Sequence, residues 1–305
     1  MTYKFAVVLN AGSGNSQTAD KLKLLKEAFM ANSSEPEIFL AHGGAAIIEC
    51  AQKAIGLGYK MIVAAGGDGT VNTVAELALQ NDLVLGILPM GTFNHLAKDL
   101  KIPLSLDSAI KTLFNGQVVN VDACMVNNKV FINNSSIGLY AKLVRLRQKH
   151  QRLGKGKLQA FFAALAGVVW NYSYYKIRLE LEGRDITIRS PFVFIGNNKY
   201  EIEGLNIGSR QNLKNNELSL YVIRHTSRLN LLTIAFRALF GGIAEHQAFD
   251  VYSANKVKID TKKKSLPVAL DGEVITMQTP LEYSIFPGVL KVMAPKEMGD
   301  EVFKI

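Results

Sequence analysis

Five consecutive residues, Gly66-Gly67-Asp68-Gly69-Thr70, combine the groups that a phosphate site needs. They follow the apolar run Met61-Ile62-Val63-Ala64-Ala65 and precede a stretch of helical spacing over residues 71–79. Glycines between a strand and a helix let backbone N–H groups turn toward an anion, and the helix N-terminus adds partial positive charge. Asp68 supplies a carboxylate where a phosphate-bound Mg²⁺ would sit. Asn72 follows within one helical turn and is grouped with the same site. The stretch reads as a nucleotide triphosphate site, against the plainer reading of a glycine-bearing strand-to-helix turn.

Three further loops carry polar residues. Asn10-Ala11-Gly12-Ser13-Gly14 ends the first strand-like run, and ligands of open α/β sheets gather beyond such strand ends. Pro89-Met90-Gly91-Thr92-Phe93-Asn94 again follows a buried run. Gly91 there permits close backbone approach, while the Thr92 hydroxyl and Asn94 amide can bond phosphate or orient a carboxylate. Leu270-Asp271-Gly272-Glu273 is first of all a hairpin turn, since Asp-Gly lies between alternating apolar residues. Such a turn can also present a carboxylate.

The elements that must position these loops change character along the chain. Up to about Asp122, short apolar runs at 4–10, 37–41, 60–65 and 84–88 alternate with helical spacing at 19–31, 45–55, 71–79 and 107–114. That rhythm argues a Rossmann-like α/β domain with a parallel sheet covered on both faces. Afterwards strands dominate: a hairpin over 117–126 and 129–133, then 174–182 and 186–194 about a turn at Gly183-Arg184. Runs at 218–223, 250–259, 266–270, 274–277 and 281–286 follow, with helices near 139–151, 158–170 and 228–240. The second half therefore reads as an antiparallel β domain with helical insertions. The expected domains are 1–122, joined by the tail 292–305, and 123–291.

Lys and Arg number 35 against 26 Asp and Glu, a net charge of +9. An anionic partner follows: nucleic acid, a phospholipid surface or a phosphorylated substrate. No RNP-like, zinc-finger or helix-turn-helix signature favours nucleic acid. Cys50 and Cys124 are the only cysteines, too few for a disulfide framework, and the start lacks a signal-peptide pattern. The expected location is a reducing cytoplasm. No apolar segment reaches the roughly 20 residues needed to span a bilayer, so membrane contact is expected to be peripheral.

The four loops in this order resemble the diacylglycerol kinase catalytic-domain family, which includes bacterial lipid kinases and the sphingosine kinases. Asn10 to Gly14 is similar to its Asn-Pro-x-Ser-Gly loop, with Ala11 for Pro; Gly66 to Thr70 matches its glycine-rich signature. Pro89 to Asn94 resembles Pro-x-Gly-Thr-x-Asn, and Asp271-Gly272-Glu273 its late acidic motif. Asn133-Asn134-Ser135-Ser136-Ile137-Gly138 and Phe194-Ile195-Gly196-Asn197 extend the likeness over nearly the whole chain.

The resemblance implies a nucleotide domain of NAD-kinase and phosphofructokinase type followed by a β-sandwich lipid domain. It implies ATP and Mg²⁺ as cofactors, γ-phosphoryl transfer to a lipid hydroxyl, and a place in phospholipid metabolism. Asp68 would hold or orient Mg²⁺; Asn10, Gly12, Ser13, Gly14, the glycine loop with Thr70 and Asn72, and Gly91, Thr92 and Asn94 would cradle the nucleotide. Asp271 or Glu273 would accept the proton of the attacking hydroxyl, Asp271 being favoured. A kinase of NAD-kinase type and a catalytically silent nucleotide- or lipid-binding regulator are the rival readings. A homodimer is left open.

The chain departs from the family pattern in places. His95 stands where Asp usually follows Asn94, and residues 38–49 contain no Thr. Asn212 to Ser219 carries Lys, Asn and Ser where many bacterial relatives have aspartates for a structural Mg²⁺. Such a hard cation needs carboxylates, so that second metal site is expected to be absent or weak.

One feature stands outside the family pattern. Between Asp122 and Glu180 there is no acidic residue, while Lys142, Arg145, Arg147, Lys149, Arg152, Lys155 and Lys157 cluster ahead of an apolar run. The segment suits docking on anionic lipid through Arg145, Arg147 and Lys149. A solvated helix face beside a core helix is the competing reading.

Overall fold

Four runs of small and branched apolar residues build a parallel sheet because each must be covered on both faces. In the computed structural model, residues 5–12, 18–145, 167, 170, 172, 174–200, 213, 215–223, 227, 229–230 and 249–296 are described. The chain divides into two compact units, Met1–Ala123 with Pro287–Ile305, and Cys124–Phe286.

The first unit alternates β1 (Ala6–Asn10), α1 (Thr18–Met30), β2 (Glu37–Ala41), α2 (Gly44–Gly56), β3 (Met61–Gly66) and α3 (Asp68–Gln80). Then come β4 (Val84–Pro89), the short α4 (His95–Asp99), α5 (Leu106–Asn115) and β5 (Gln117–Val126). Strands run in the order β2-β1-β3-β4 and all pair in parallel. The last strand among the described residues, β16 (Leu281–Ala294), joins β4 in parallel with Val292 opposite Leu85. Phe5, Phe29 and Phe114 pack edge to face or tilted, closing α1 and α5 over β1. At Gly86 an added Cβ would lie 2.8 Å from Leu113, so α5 rests directly on β4.

Strands β6 (Lys129–Phe131), β7 (Asn134–Gly138), β8 (Tyr175–Leu181), β9 (Arg184–Ser190), β10 (Phe192–Asn197) and β11 (Leu218–Ile223) open the second unit. It continues with β12 (Phe249–Ala254), β13 (Lys256–Thr261), β14 (Ser265–Leu270) and β15 (Glu273–Gln278). One antiparallel sheet is ordered β12-β11-β10-β7-β14-β15; in the other, β13 lies between β16 and β8, and β8 pairs β9. Their inner faces share one core, with Ile137, Val193, Ile195 and Leu220 against Ile177, Leu179, Val257 and Ile259. This is the expected antiparallel sandwich following an α/β domain.

Local expectations need correction in six places. Residues 186–194 are not one strand, since the chain turns at Pro191 and passes from β9 in one sheet to β10 in the other. Residues 250–259 likewise break at Asn255, between β12 and β13. Proline cannot donate to a ladder, which suits it to such a corner. The β8–β9 turn is Glu182-Gly183, one residue earlier than expected, with φ 41° and 88°. β7 and α4 were not anticipated as elements, and β16 continues eight residues past Phe286, to Ala294. Of the expected helix at 139–151, residues 139–145 are helical; 146–151, like most of 158–170 and 228–240, lie outside the described residues.

Candidate active site

Asn10 ends β1 and turns its side chain back on the loop. Its Oδ1 accepts from Gly12 N at 3.0 Å, and its Nδ2 donates to Thr70 Oγ1 at 2.9 Å. Thr70, 2% exposed, thereby ties the first loop to the start of α3. No side chain fits at Gly66, where a Cβ would lie 2.5 Å from Thr70 Oγ1. Ser13 and Gly14 lie outside the described residues.

The glycine loop and the loop after β4 interlock backbone to backbone. A Cβ on Gly91 would meet Gly67 Cα at 2.4 Å, so only glycine permits this approach. Asn94 holds the second loop in shape: its Oδ1 accepts from Gly91 N and its Nδ2 donates to Gly91 O, both at 3.0 Å. It does so from a left-handed backbone, φ 51°, which asparagine tolerates better than most residues.

Asp68 joins the two loops. Its Oδ2 accepts from Asn94 N at 3.0 Å and its Oδ1 from His95 N at 2.7 Å. These amides begin α4, where a helix has donors without intrahelical acceptors. Asp68 therefore spends one lone pair of each oxygen on protein and retains others for a ligand. Gly67, the N-cap of α3, supplies no side-chain cap; Thr70 N and Val71 N donate to Gly67 O, and the positive end of the helix dipole lies at this loop. Asn72 is half-buried one turn on, and Thr92 is exposed. His95 stacks on the exposed Phe93, centroids 5.6 Å apart and planes 5° from parallel.

In the second unit Asp271 and Gly272, at φ 48° and 85°, form the two-residue turn of the β14–β15 hairpin. The Asp271 carboxylate collects three backbone donors. Ile132 N reaches Oδ2 at 2.8 Å, and Asn133 N and Asn134 N reach Oδ1 at 2.8 and 2.9 Å. Asp271 N completes the clasp on Asn134 O at 2.9 Å. Glu273, two residues on, is exposed.

Several residues at these loops were not singled out from the sequence. Lys21, 2% exposed, donates from Nζ to Ala11 O at 3.0 Å and so brings a buried ammonium to the first loop. It lies in register with buried Leu25, Ala28 and Phe29 on α1, and a lysine in an apolar stripe is a legible signal. Behind Asp271 the unanticipated Tyr200 hydroxyl donates to Asn133 O at 2.9 Å, beside Asn197 of the family likeness, whose Nδ2 donates to Ile132 O at 2.7 Å. The Tyr221 hydroxyl accepts from Tyr200 N at 3.0 Å; burial pushes this phenol up, against the opposing pull of its bond to the Tyr200 backbone.

Of the docking residues expected from the sequence, Arg145 ends the described part of its helix and is exposed. Arg147 and Lys149 lie outside the described residues. Among the described residues no helix is long and apolar enough to cross a membrane.

Comparison with known proteins gives the family. Residues 4–126 match the family model "Diacylglycerol kinase catalytic domain", and residues 134–294 match "YegS C-terminal NAD kinase beta sandwich-like domain". A diacylglycerol kinase of Bacillus subtilis (strain 168) is 26% identical over 248 residues, covering 80% of each chain. A crystal structure of a diacylglycerol kinase from Bacillus anthracis str. Sterne superposes with a TM-score of 0.70, covering 97% of this chain and 98% of that one. At 17% identity the latter speaks to the fold alone. On the two family matches together, the chain belongs to the diacylglycerol kinase catalytic-domain family and is a lipid kinase.

Proposed function

We propose that this kinase transfers the γ-phosphoryl group of ATP, carried as its Mg²⁺ complex, to a lipid hydroxyl, with diacylglycerol the first acceptor to try. The observation that carries the reading is the interlock of Gly67 and Gly91 around Asp68 at the start of α3, where the helix dipole favours an anion. Amides of the glycine loop, with Thr92 and the Asn10–Thr70 pair, would bind the phosphates. The loop containing Ser13 and Gly14 takes the same role by family resemblance, as does Asn72.

The donor set fits a magnesium ion held mainly by substrate phosphates. Mg²⁺ keeps several waters and needs one or two carboxylates besides phosphate oxygens, and Asp68 has lone pairs left for one of those waters. When bound, the ion would neutralise charge on the transferring group. In the reaction the lipid oxygen bonds to γ-phosphorus, the bond to the bridging oxygen breaks, and ADP leaves with that electron pair. The hydroxyl proton passes to a carboxylate of the β14–β15 turn. Asp271 is our first assignment because three backbone donors fix its direction. The exposed Glu273 is the alternative.

We further propose that the enzyme works from the cytoplasmic side and touches the membrane transiently, in keeping with its net charge of +9. The test is transfer of radiolabelled γ-phosphate from ATP to a panel of lipids in mixed micelles. Wild type should label at least one lipid; Asp271→Asn should lose about 100-fold or more, as expected for removal of a proton acceptor. Labelling that survives in Asp271→Asn but falls in Glu273→Gln would move the base to Glu273. No labelled lipid at all, despite ATP binding, would sink the proposal.

A further inference from the structure

A second constellation occupies the Cys124–Phe286 unit and takes no part in the chemistry above. Lys142 Nζ stands 4.7 Å above the centre of the Tyr172 ring. Lys263 Nζ stands 4.6 Å above that of Tyr175 and 3.4 Å from its hydroxyl oxygen. The two rings meet edge to face at 5.8 Å. This chain of contacts brings the helix at 139–145 and the β13–β14 turn to one place, although they are far apart in sequence.

The turn consists of Lys262-Lys263-Lys264, all exposed, and its backbone is braced. Thr279 donates from Oγ1 to Lys263 O at 2.5 Å and from N to Lys264 O at 3.0 Å. Lys263 N reaches Thr261 Oγ1 at 3.2 Å. Arg145, also exposed, lies one helical turn from Lys142. Five cations thus share one surface, and among the described residues none of them forms an ion pair with a carboxylate. Trp170, just ahead of Tyr172, is 52% exposed. An amphipathic ring at that position suits the boundary between headgroups and acyl chains.

A ring face holds an ammonium in position without consuming its N–H donors. Lys142 is therefore oriented with its donors still able to bond phosphate oxygens, and Lys263, which spends one donor on the Tyr175 hydroxyl, keeps two. We propose that this lysine–tyrosine cluster, with Arg145 and the flanking Lys262 and Lys264, seats the phosphate headgroups of an anionic bilayer. The inference rests on the lipid-kinase reading for its purpose, since the acceptor of such an enzyme is dissolved in a bilayer, but its test needs no turnover.

The experiment is sedimentation of the 305-residue chain with vesicles of phosphatidylglycerol and phosphatidylcholine at low salt, beside vesicles of phosphatidylcholine alone. Wild type should prefer the anionic vesicles. Lys142→Gln with Lys263→Gln should weaken that partition about 25-fold, roughly fivefold for each cation removed near the surface. Lys262→Gln with Lys264→Gln, which leaves both ring contacts intact, should weaken it to a similar degree. The same number of charges removed from α1, Lys23→Gln with Lys26→Gln, should change it less than twofold. Partition that is unmoved by both cluster variants, equal loss in the α1 variant, or equal binding to phosphatidylcholine alone would overturn the seat. Phosphoryl transfer to lipid in neutral detergent micelles separates the two proposals. Transfer with unmoved vesicle binding removes only the seat, and cluster-dependent vesicle binding without transfer removes only the kinase mechanism.

Discussion

Asp68 and Asp271 sit in unlike architecture, yet each carboxylate gathers backbone amides from a segment distant in sequence. Asp68 begins a helix after a parallel strand and holds the start of α4. Asp271 lies in a hairpin turn and holds the irregular stretch before β7. The surroundings differ in what limits them. Around Asp68 the limit is space, because Gly67 and Gly91 touch through their α-carbons. Around Asp271 the limit is backbone conformation: Gly272 has nothing within 4 Å of an added Cβ but takes φ 85°. Two motif glycines thus do different work, one making room for a neighbouring backbone and one making a turn.

The largest expected effect tests the first half of that contrast. Gly91→Ala drives a Cβ into Gly67 Cα, and neither backbone can yield without moving a loop. We expect about 3 kcal/mol of lost stability, as for overpacking at a rigid contact, together with weaker ATP binding by calorimetry. A variant that melts like wild type and binds ATP normally would show that the interlock is loose.

Next in size are the acidic residues themselves. Asp68→Asn and Asp271→Asn each replace one accepting oxygen with a donor facing an N–H and remove a charge-assisted bond. Each should cost about 2 kcal/mol, measured by urea unfolding. A cost confined to one of the two would break the parallel between them.

Gly272→Ala should be the mildest. With open space around it, the change costs only the left-handed conformation, about 1 kcal/mol, and phosphoryl transfer should persist if the turn keeps its shape. A loss as large as that of Gly91→Ala would mean that something packs on this turn after all.

The sequence reading reached the fold class because the two halves have different hydrophobic periods, and β2, β5 and β11 coincide with their expected bounds. It failed where strands change sheets. Both sheets bury the same core, so hydrophobicity continues through the corners at Pro191 and Asn255. A finer signal was available in the phase of alternation. Ile186 and Ile188 face the core, then Val193 and Ile195; Tyr252 and Ala254 do so, then Val257 and Ile259. Each series slips by one residue at the corner, which a single pleated strand cannot do. α4 escaped notice because five residues are too few to display a helical period.

At the site, aspartates stood out by residue type while their partners did not. Every residue but proline carries the same amide, so nothing in Ile132, Asn133 or His95 marks it as a donor to a particular carboxylate. The contact between Gly67 and Gly91 is equally silent, because glycine in a loop has many uses. Such pairings follow only from the course of the backbone.

The two strands β5 and β16 carry the chain out of the first unit and back again. The partner of β4 on its outer side is therefore synthesised only after the bulk of the Cys124–Phe286 unit. While the chain is still leaving the ribosome, the first unit exposes an unpaired parallel strand edge at β4 until the whole sandwich has been synthesised. Such an edge is a template for pairing with other chains, and β16 covers it once the sandwich is complete. A chain that stopped short of β16 would keep β2-β1-β3-β4 but leave β4 with an open edge.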